Sequence, residues 1–469
     1  MKYVSQFLSK IKTTVKDIRQ MKKVRELFLY PKEQTITTIS FFLVMLWMLS
    51  PIYRFLNSVT LQFHDPSFYF VNDSMLARDL THYLQQIGYF GLFIGLFTIS
   101  RSIIYAKDSQ ETFKQYVKKH IIPILLVIFL ILSFFSALFS TNQSISFYGN
   151  PYRKEGFITY LAYTGLFISA YQLHKKQTIK CLLYPVVFSA FLLSIFSIID
   201  ITAINNLFTL TKQTSIFHNA NHYAYFLNIM MMSTMALILI DQKRVIYIKI
   251  LYFIVLATLT YTLVDNGSFG SYIGATFGLL FLTIFLLLYH PKEKLVLLFI
   301  IITYLSSSLL ASYDTNFLSN ELTKIVDNTG DIIEGNDEAP SAGSGRWTLW
   351  TNAVTFAFEK PMFGYGVDNL GERYLLAGNT SDRPHNEYLQ IAASIGLPGL
   401  ITYLSVLAIH FLTLLKRKAQ MMPIHIALYS IVFAYLVGAF FGNSMYYTTP
   451  YYVIILALSI SLNHKKTSE

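Results

Sequence analysis

The sequence predicts an all-α protein, a polytopic membrane helix bundle of about twelve transmembrane helices with a large extracytoplasmic loop carrying amphipathic helices. Hydrophobic residues make up 54% of the 469 positions, charged residues make up only 13%, and the mean hydropathy is +0.45. A soluble domain has about a quarter of its residues charged. Apolar runs of about 20 residues, the length that crosses a bilayer, recur along the chain. A soluble multidomain enzyme, a disordered chain and a collagen-like fibre are therefore excluded.

Twelve apolar runs are the expected spans. They cover residues 36–56, 85–104, 121–139, 156–173, 179–201, 222–240, 245–264, 268–288, 294–312, 387–412, 423–441 and 446–462. An outer loop over residues 57–84 is expected between the first two. Only Asp265, Asn266 and Gly267 separate the seventh run from the eighth, which predicts a tight hairpin. Cys181 is the single cysteine, so no disulfide can form within the chain.

The formal net charge of +11 follows the predicted topology. About 25 of the 37 Lys and Arg residues lie on the side that carries residues 1–35, and about ten lie on the other side. Because basic loops stay in the cytoplasm, we expect both termini there and the large loop outside a bacterial cytoplasmic membrane. Residues 1–35 carry no base-reading module, so we expect them to contact anionic lipid rather than nucleic acid.

Four segments are expected along the chain. Residues 1–35 form a basic cytoplasmic segment, 36–312 the first nine helices, 313–386 the large loop, and 387–469 the last three helices with a short tail. A loop of about 74 residues is far longer than ordinary connections, which indicates a functional role. Its acidic, Gly-rich part over 327–338 is expected to be mobile. An amphipathic helix against the membrane face or the bundle is predicted by the aromatic residues that follow, which are Trp347, Trp350, Phe356, Phe358, Phe363 and Tyr365.

Arg346 is the first candidate site residue. It opens the amphipathic segment, and an arginine at a helix N-terminus opposes the helix dipole unless an anion also lies there. A guanidinium group can hold two phosphate oxygens at once, so Arg346 could clamp a diphosphate. The alternative is an arginine on a solvated loop whose charge stays in water.

His385 is the candidate general base. It lies at the mouth of a predicted membrane helix, in the segment Arg383-Pro-His-Asn-Glu387. The pKa of an imidazole is near neutrality, which suits a group that takes up and releases a proton. Asn386 and Glu387 could fix the tautomer of the ring or cap the helix. The alternative is a histidine that itself caps the helix or packs at its entry.

Three further candidates lie in other outer turns. Arg153 could bind a diphosphate or anchor the chain at the interface. Asn219 and Asn221 precede a span, and we expect them to cap a helix or to bind sugar hydroxyls. His218 and His222 are four residues apart but lack a carboxylate partner, so no metal site is expected.

These stretches, taken in order, resemble the O-antigen ligase and O-antigen polymerase superfamily, which comprises polytopic glycosyltransferases of the GT-C type. The resemblance covers about residues 120–440 and depends on the order of the motifs rather than on any one of them. The motifs are Arg153-Lys-Glu-Gly156, Asn219-Ala-Asn221, Gly345-Arg-Trp-Thr-Leu-Trp350, Pro361-Met-Phe-Gly-Tyr-Gly366, and His385-Asn-Glu-Tyr-Leu-Gln390 followed by Gly396 and Gly399.

The resemblance implies a glycosyltransferase of cell-envelope polysaccharide biosynthesis that needs no metal and no cofactor. Its donor is an oligosaccharide on a polyprenyl diphosphate such as undecaprenyl diphosphate. A hydroxyl group of a glycan, lipid or other acceptor attacks the anomeric carbon on the outer face of the membrane, with inversion. His385 is then the base and Arg346 the main diphosphate clamp. The residues expected to bind the diphosphate or the glycan are Arg153, Arg383, Asn219, Asn221, Asn386 and Glu387.

One position departs from the family pattern. Family members commonly carry Ser-Arg-Gly at the start of a span, and the arginine is thought to contact the diphosphate. This chain has Gly267-Ser-Phe-Gly-Ser271, so Phe269 stands in place of that arginine. Arg153, Lys212 or Arg383 could supply the missing charge, or the donor is held differently.

Two alternatives stay open at this point. A ligase and a polymerase take the same donor and differ only in the acceptor, which the sequence does not define. A transporter or flippase of lipid-linked glycans is the other class. It would show pseudo-repeated halves and charged residues near the bilayer midplane. Here the spans are nearly free of charge and the polar residues gather at the outer mouth, which favours catalysis at one face.

Overall fold

The computed structural model of the protein describes residues 24–62, 72–151, 153–199, 213–217, 219–241, 244–334, 345–417 and 421–464. Within these ranges it contains twenty α-helices and no β-strand. The first ten helices are α1 (Val24–Leu29), α2 (Glu33–Met48), α3 (Ser50–Gln62), α4 (Asn72–Asp108), α5 (Phe113–Lys119), α6 (Ile121–Leu138), α7 (Gln143–Tyr148), α8 (Phe157–Tyr171), α9 (Lys176–Ile199) and α10 (Ala220–Ile240). The last ten are α11 (Ile246–Asp265), α12 (Phe269–Tyr289), α13 (Lys294–Thr315), α14 (Phe317–Glu334), α15 (Arg346–Glu359), α16 (Gly371–Leu376), α17 (Glu387–Ile395), α18 (Leu397–Lys416), α19 (Pro423–Ala439) and α20 (Thr449–His464).

The described helices confirm an all-helical, multi-pass membrane protein. Eight of them are long and apolar enough to cross a bilayer, and a ninth span results if α2 and the start of α3, which meet at 47°, are taken together. Three shorter apolar helices, α8, α19 and the apolar part of α20, have 10–17 residues each. Together these helices cover all twelve predicted runs, while the number of helices that cross the bilayer stays a prediction.

The predicted span 387–412 is wrong as a single helix. The chain breaks at Gly396, whose φ of 95° lies in the left-handed region that favours glycine. A Cβ atom at Gly396 would lie 2.5 Å from the carbonyl oxygen of Met362, so the close approach of that segment also requires glycine. α17 and α18 are therefore separate helices. The backbone N–H groups of Tyr365 and Gly366 donate to carbonyl groups at the C-terminal end of α17.

The two segments predicted as outer loops contain more helix than their polar composition predicts. α3 continues to Gln62 and α4 begins at Asn72, so much of the expected loop 57–84 is helical. The large loop holds α14, α15 and α16, and α15 covers Trp347, Trp350, Phe356 and Phe358 of the predicted amphipathic segment but ends before Phe363 and Tyr365. The acidic stretch 327–338 is helical as far as Glu334, and its remaining residues lie outside the described ranges.

The central helix of the bundle is α10, whose side chains are almost all buried. It packs against α9, α11, α12 and α19. Small residues permit this packing, since a Cβ atom on Gly274 of α12 would lie 2.5 Å from the carbonyl oxygen of Ala434 on α19. The short hairpin after α11 returns the chain so that α10 and α12 begin at the same end of the bundle. That end carries the candidate site.

Candidate functional site

Three helices begin around two adjoining cavities at one end of the bundle. The larger cavity holds about 1170 Å³ of empty space and is lined by the N-terminal residues of α10, α12 and α15. The smaller holds about 690 Å³ and is lined by residues of α10, α15 and the segment before α17. Asn221 and Arg346 line both. Because helix N-termini present free N–H groups and positive partial charge, this arrangement suits an anion.

The first turns of α12 and α15 are not capped by the side chains that precede them. Ser268 precedes α12, but its hydroxyl donates to Asn221 Oδ1 at 2.9 Å instead of accepting from the helix. Gly345 precedes α15 and has no side chain to offer; its φ of 78° is again left-handed. The N–H groups of both first turns therefore donate to no capping side chain, and residues of both first turns line the larger cavity.

Arg346 is the first residue of α15 and is half-buried between the two cavities. Among the described residues, no carboxylate lies within salt-bridge distance of its guanidinium group. An unneutralised guanidinium beside helix N-termini adds to their positive potential, as predicted from its position in the sequence. The site therefore concentrates positive charge at a point that two cavities share.

His385 lines the smaller cavity together with Arg346, so the structure brings the two main candidates together. Its φ of 52° is unusual for a residue other than glycine, and such conformations cluster at functional sites. Burial, reinforced by the charges of Arg346 and Arg153, lowers the pKa of His385 to about 4. The imidazole is therefore neutral at physiological pH, which is the form that can accept a proton.

Arg153 and Arg383 belong to a buried ion network next to His385. Arg153 forms two hydrogen bonds of 2.9 Å with the carboxylate of Asp382. Arg383 is 2% exposed and pairs with Asp368, and its Nε lies 3.7 Å from Asp382 Oδ2. Both arginines are diphosphate ligands in the prediction from the motifs, whereas in the fold each has a carboxylate partner.

The charges of this network balance. Burial acts to raise the pKa of Asp382, but Arg383 and Arg153 outweigh it and lower that pKa to about 2. Burial raises the pKa of Glu155 to about 8, so this neighbouring carboxyl group is largely protonated at neutral pH. Two arginines thus face two carboxylates, and the network adds little net charge to the cavities. Arg346 stays the main source of positive side-chain charge there.

Removal of Arg383 tests its structural role. Arg383→Met is expected to lower the free energy of unfolding by about 3–5 kcal/mol, because it leaves a buried carboxylate without its partner. The measurement is thermal unfolding of the purified protein in detergent. The double variant with Asp368→Asn should recover part of the loss, since it removes the orphaned charge. A matched Arg373→Met, which removes a partly exposed pair with Glu359 and surface contacts with Tyr365 and Phe356, should cost less. An Arg383→Met protein as stable as wild type would contradict this role.

The asparagine candidates act mainly on helix ends. Asn219 Oδ1 accepts from the N–H of Asn221 at 2.9 Å and caps α10. Asn386 Oδ1 accepts from the N–H of Leu389 at 3.0 Å and caps α17. The side chain of Asn221 lines both cavities and accepts from Ser268. Of the three, Asn221 is the one that faces the space where a ligand would lie.

Glu387 points away from the two cavities. Its carboxylate accepts hydrogen bonds from Tyr403 at 2.9 Å and from Tyr435 at 3.1 Å. It lines a separate, mostly apolar cavity of about 810 Å³ between α6, α8, α18 and α20. The structure therefore separates Glu387 from His385 despite their closeness in sequence, because α17 turns successive side chains to different faces.

Phe269 opens α12 and lines the larger cavity, where its ring packs near Phe317. Lys324 of α14 lines the same cavity, and its ammonium group lies 2.6 Å from Glu321. Lys324 is the basic residue that sequence reasoning missed at this point, since it lies 55 positions from Phe269 and no motif contains it. Lys212 lies outside the described residues.

A metal is not indicated by the part of the chain that the structure describes. Within it, no group of three or more His, Cys, Asp or Glu side chains is placed to hold an ion. His222 lies in α10, where its ring stacks on Tyr447, and His218 lies outside the described residues.

A protein-family model matches the part of the chain that contains Arg346 and His385. The family model described as O-antigen ligase matches residues 253–404, about a third of the chain. The match runs from α11 into α18 and contains Arg346 and His385, and it confirms the resemblance stated from the motifs. No curated protein matches the chain. At the family level, the O-antigen ligase match supports transfer of a glycan.

Proposed function

We propose that the protein is a glycosyltransferase that moves a glycan from a polyprenyl diphosphate to a hydroxyl acceptor on the outer face of the cytoplasmic membrane. One observation carries the proposal. Arg346 and His385 line the same cavity at a place where helix N-termini converge. The site thus pairs a binding region for concentrated negative charge with a neutral base. The O-antigen ligase match over the same residues supports this reaction class.

The reaction follows from these two groups. The acceptor hydroxyl oxygen attacks the anomeric carbon while His385 takes its proton, and the bond from that carbon to the diphosphate oxygen breaks. The electron pair of that bond moves to the diphosphate. Arg346 and the N–H groups of α12 and α15 stabilise the negative charge as it develops on the leaving group. Attack opposite the leaving diphosphate inverts the anomeric centre.

The cavities fit the two parts of such a donor. Asn379, Thr380 and Ser381 line the smaller cavity beside His385 and offer the polar groups that sugar hydroxyls need. The larger cavity is lined by Trp347, Trp350 and Phe441 as well as Arg346, and its mixed character suits the junction of diphosphate and lipid. We assign Arg153 and Arg383 to the ion network that supports His385 and not to binding of the diphosphate.

Incubation of the purified protein in lipid nanodiscs with a lipid-diphosphate oligosaccharide tests the proposal. A ladder of lengthening products identifies a polymerase, and one conjugate with an added hydroxyl acceptor identifies a ligase. Exposed His82→Gln on α4 serves as the matched control for variants of His385, because it replaces a histidine that lines neither cavity. Movement of the intact donor between leaflets without any product would contradict the proposal and indicate a flippase.

A further inference from the structure

His385 has a hydrogen-bond partner that the sequence motifs do not include. Asn443, in the connection between α19 and α20, places its Nδ2 atom 3.2 Å from His385 Nδ1. Asn443 is 6% exposed, and its Oδ1 atom is buried with no hydrogen-bond partner among the described residues. The amide group therefore lies against one ring nitrogen, with its oxygen not engaged elsewhere in the described chain.

The orientation of this amide decides which ring nitrogen carries the proton. With Nδ2 facing the ring, the amide donates to Nδ1 and the proton of the neutral imidazole lies on Nε2. A half-turn of the amide occupies the same space and brings Oδ1 to the ring, where it accepts Nδ1–H. Only this second arrangement leaves the Nε2 lone pair free to take a proton from an acceptor hydroxyl.

The segment that carries Asn443 is held from two sides. Arg383 donates from Nη1 to the carbonyl oxygen of Ser444 at 3.2 Å. Gly442 packs onto Tyr225 of α10, where a Cβ atom would lie 2.1 Å from the tyrosine hydroxyl oxygen. Arg383 precedes His385 by two residues and bonds to the residue that follows Asn443. The same buried guanidinium group therefore links the segment of His385 to the segment of Asn443. The distance between the amide and the ring is thus set by the fold.

We propose that Asn443 is a positioning residue for His385, whose amide oxygen accepts Nδ1–H and so keeps Nε2 available as the proton acceptor. This inference rests on the proposed function and adds to it the group that orients the base. A base oriented by a hydrogen bond at its other nitrogen follows the same logic as the histidines of hydrolytic triads. Asn443 contacts the base and not the substrate.

An amide suits this site better than a carboxylate would. The charged groups that act on His385 are Arg346, Arg153 and Arg383, which oppose protonation, and Asp382, which favours it. A neutral acceptor fixes the tautomer and leaves that balance as it is. A carboxylate at the same position would stabilise the imidazolium and raise the pKa of the ring, so that more of the enzyme would be protonated before the reaction starts.

Three variants separate positioning from a general structural effect. Asn443→Leu has a similar volume but no acceptor, and it should lower kcat by about 10- to 100-fold with little change in KM. Asn443→Asp retains the acceptor oxygen, so it should recover part of the rate and move the acidic limb of the pH–rate profile to higher pH. Ser444→Ala changes the next side chain of the same turn and keeps its carbonyl group, so it should behave as wild type.

A tautomer measurement tests the inference without relying on activity. Solid-state NMR of protein labelled with ¹⁵N-histidine, compared with His385→Gln, isolates the signals of His385. We expect a protonated Nδ1 and an unprotonated Nε2 in wild type, and loss of this pattern in Asn443→Leu. A proton on Nε2 in wild type would overturn the inference, as would a wild-type rate and pH profile in Asn443→Leu. Failure of the wild-type protein to transfer glycan would instead overturn the proposed function, and the tautomer measurement does not depend on that result, so the two failures are distinguishable.

Discussion

His385→Gln is expected to slow glycan transfer by about 10²- to 10⁴-fold, the usual contribution of a positioned general base. Glutamine retains the polar character and much of the size of the ring but cannot accept a proton. Binding of the lipid-diphosphate donor should stay close to wild type, because in the proposed site the diphosphate contacts Arg346 and helix N-termini instead. Initial rates with purified protein at saturating donor, together with donor affinity, measure both effects.

The pH dependence of the transfer rate is a second test of the role of His385. The pKa of His385 is lowered to about 4, and the reaction needs the neutral ring. Above about pH 5 the ring is neutral, so titration of His385 should not change the rate of glycan transfer. Below that pH the rate should fall as the ring becomes protonated. His82→Gln should have the wild-type rate and profile. If His385→Gln transfers glycan as fast as wild type, His385 is not the base.

Arg346→Ala is expected to lower kcat/KM by about 10²- to 10³-fold, the range found when one preorganised donor to developing negative charge is removed. Arg346→Lys should retain part of the activity, since it keeps the charge but loses two-point contact with phosphate oxygens. The affinity of the protein for a lipid diphosphate without sugar should fall in parallel.

The control for Arg346 is another arginine of the same loop. Arg373 pairs with Glu359 at 2.7 Å near the surface and lines neither cavity. Arg373→Ala should leave transfer and diphosphate binding unchanged. Equal losses in the two variants would mean that loop charge in general, rather than Arg346, supports the reaction.

Hydropathy predicted the bundle because membrane helices are defined by local composition and length. It merged α17 with α18, since a left-handed break at Gly396 depends on contact with Met362 and not on apolarity. The motifs also selected Arg346 and His385, which the fold brings to one cavity. Local sequence was therefore enough to select two residues that the fold brings together.

Local sequence was not enough where function depends on long-range partners. Arg153 pairs with Asp382, which lies 229 positions away, and the carboxylate of Asp382 neutralises its charge. Asn443 reaches His385 across 58 positions and lies in no motif. Pairings of this kind form only when the helices pack. The sequence therefore shows which functional group a residue supplies but not which partner that group meets in the fold.

A structure of the protein with a non-transferable phosphonate analogue of the lipid-diphosphate glycan tests the central claim most directly. We expect the phosphonate groups to lie between Arg346 and the N-termini of α12 and α15, with the anomeric carbon facing His385 Nε2. Phosphonate groups bound to Arg153 or Arg383, or a sugar placed in the apolar cavity beside Glu387, would contradict it.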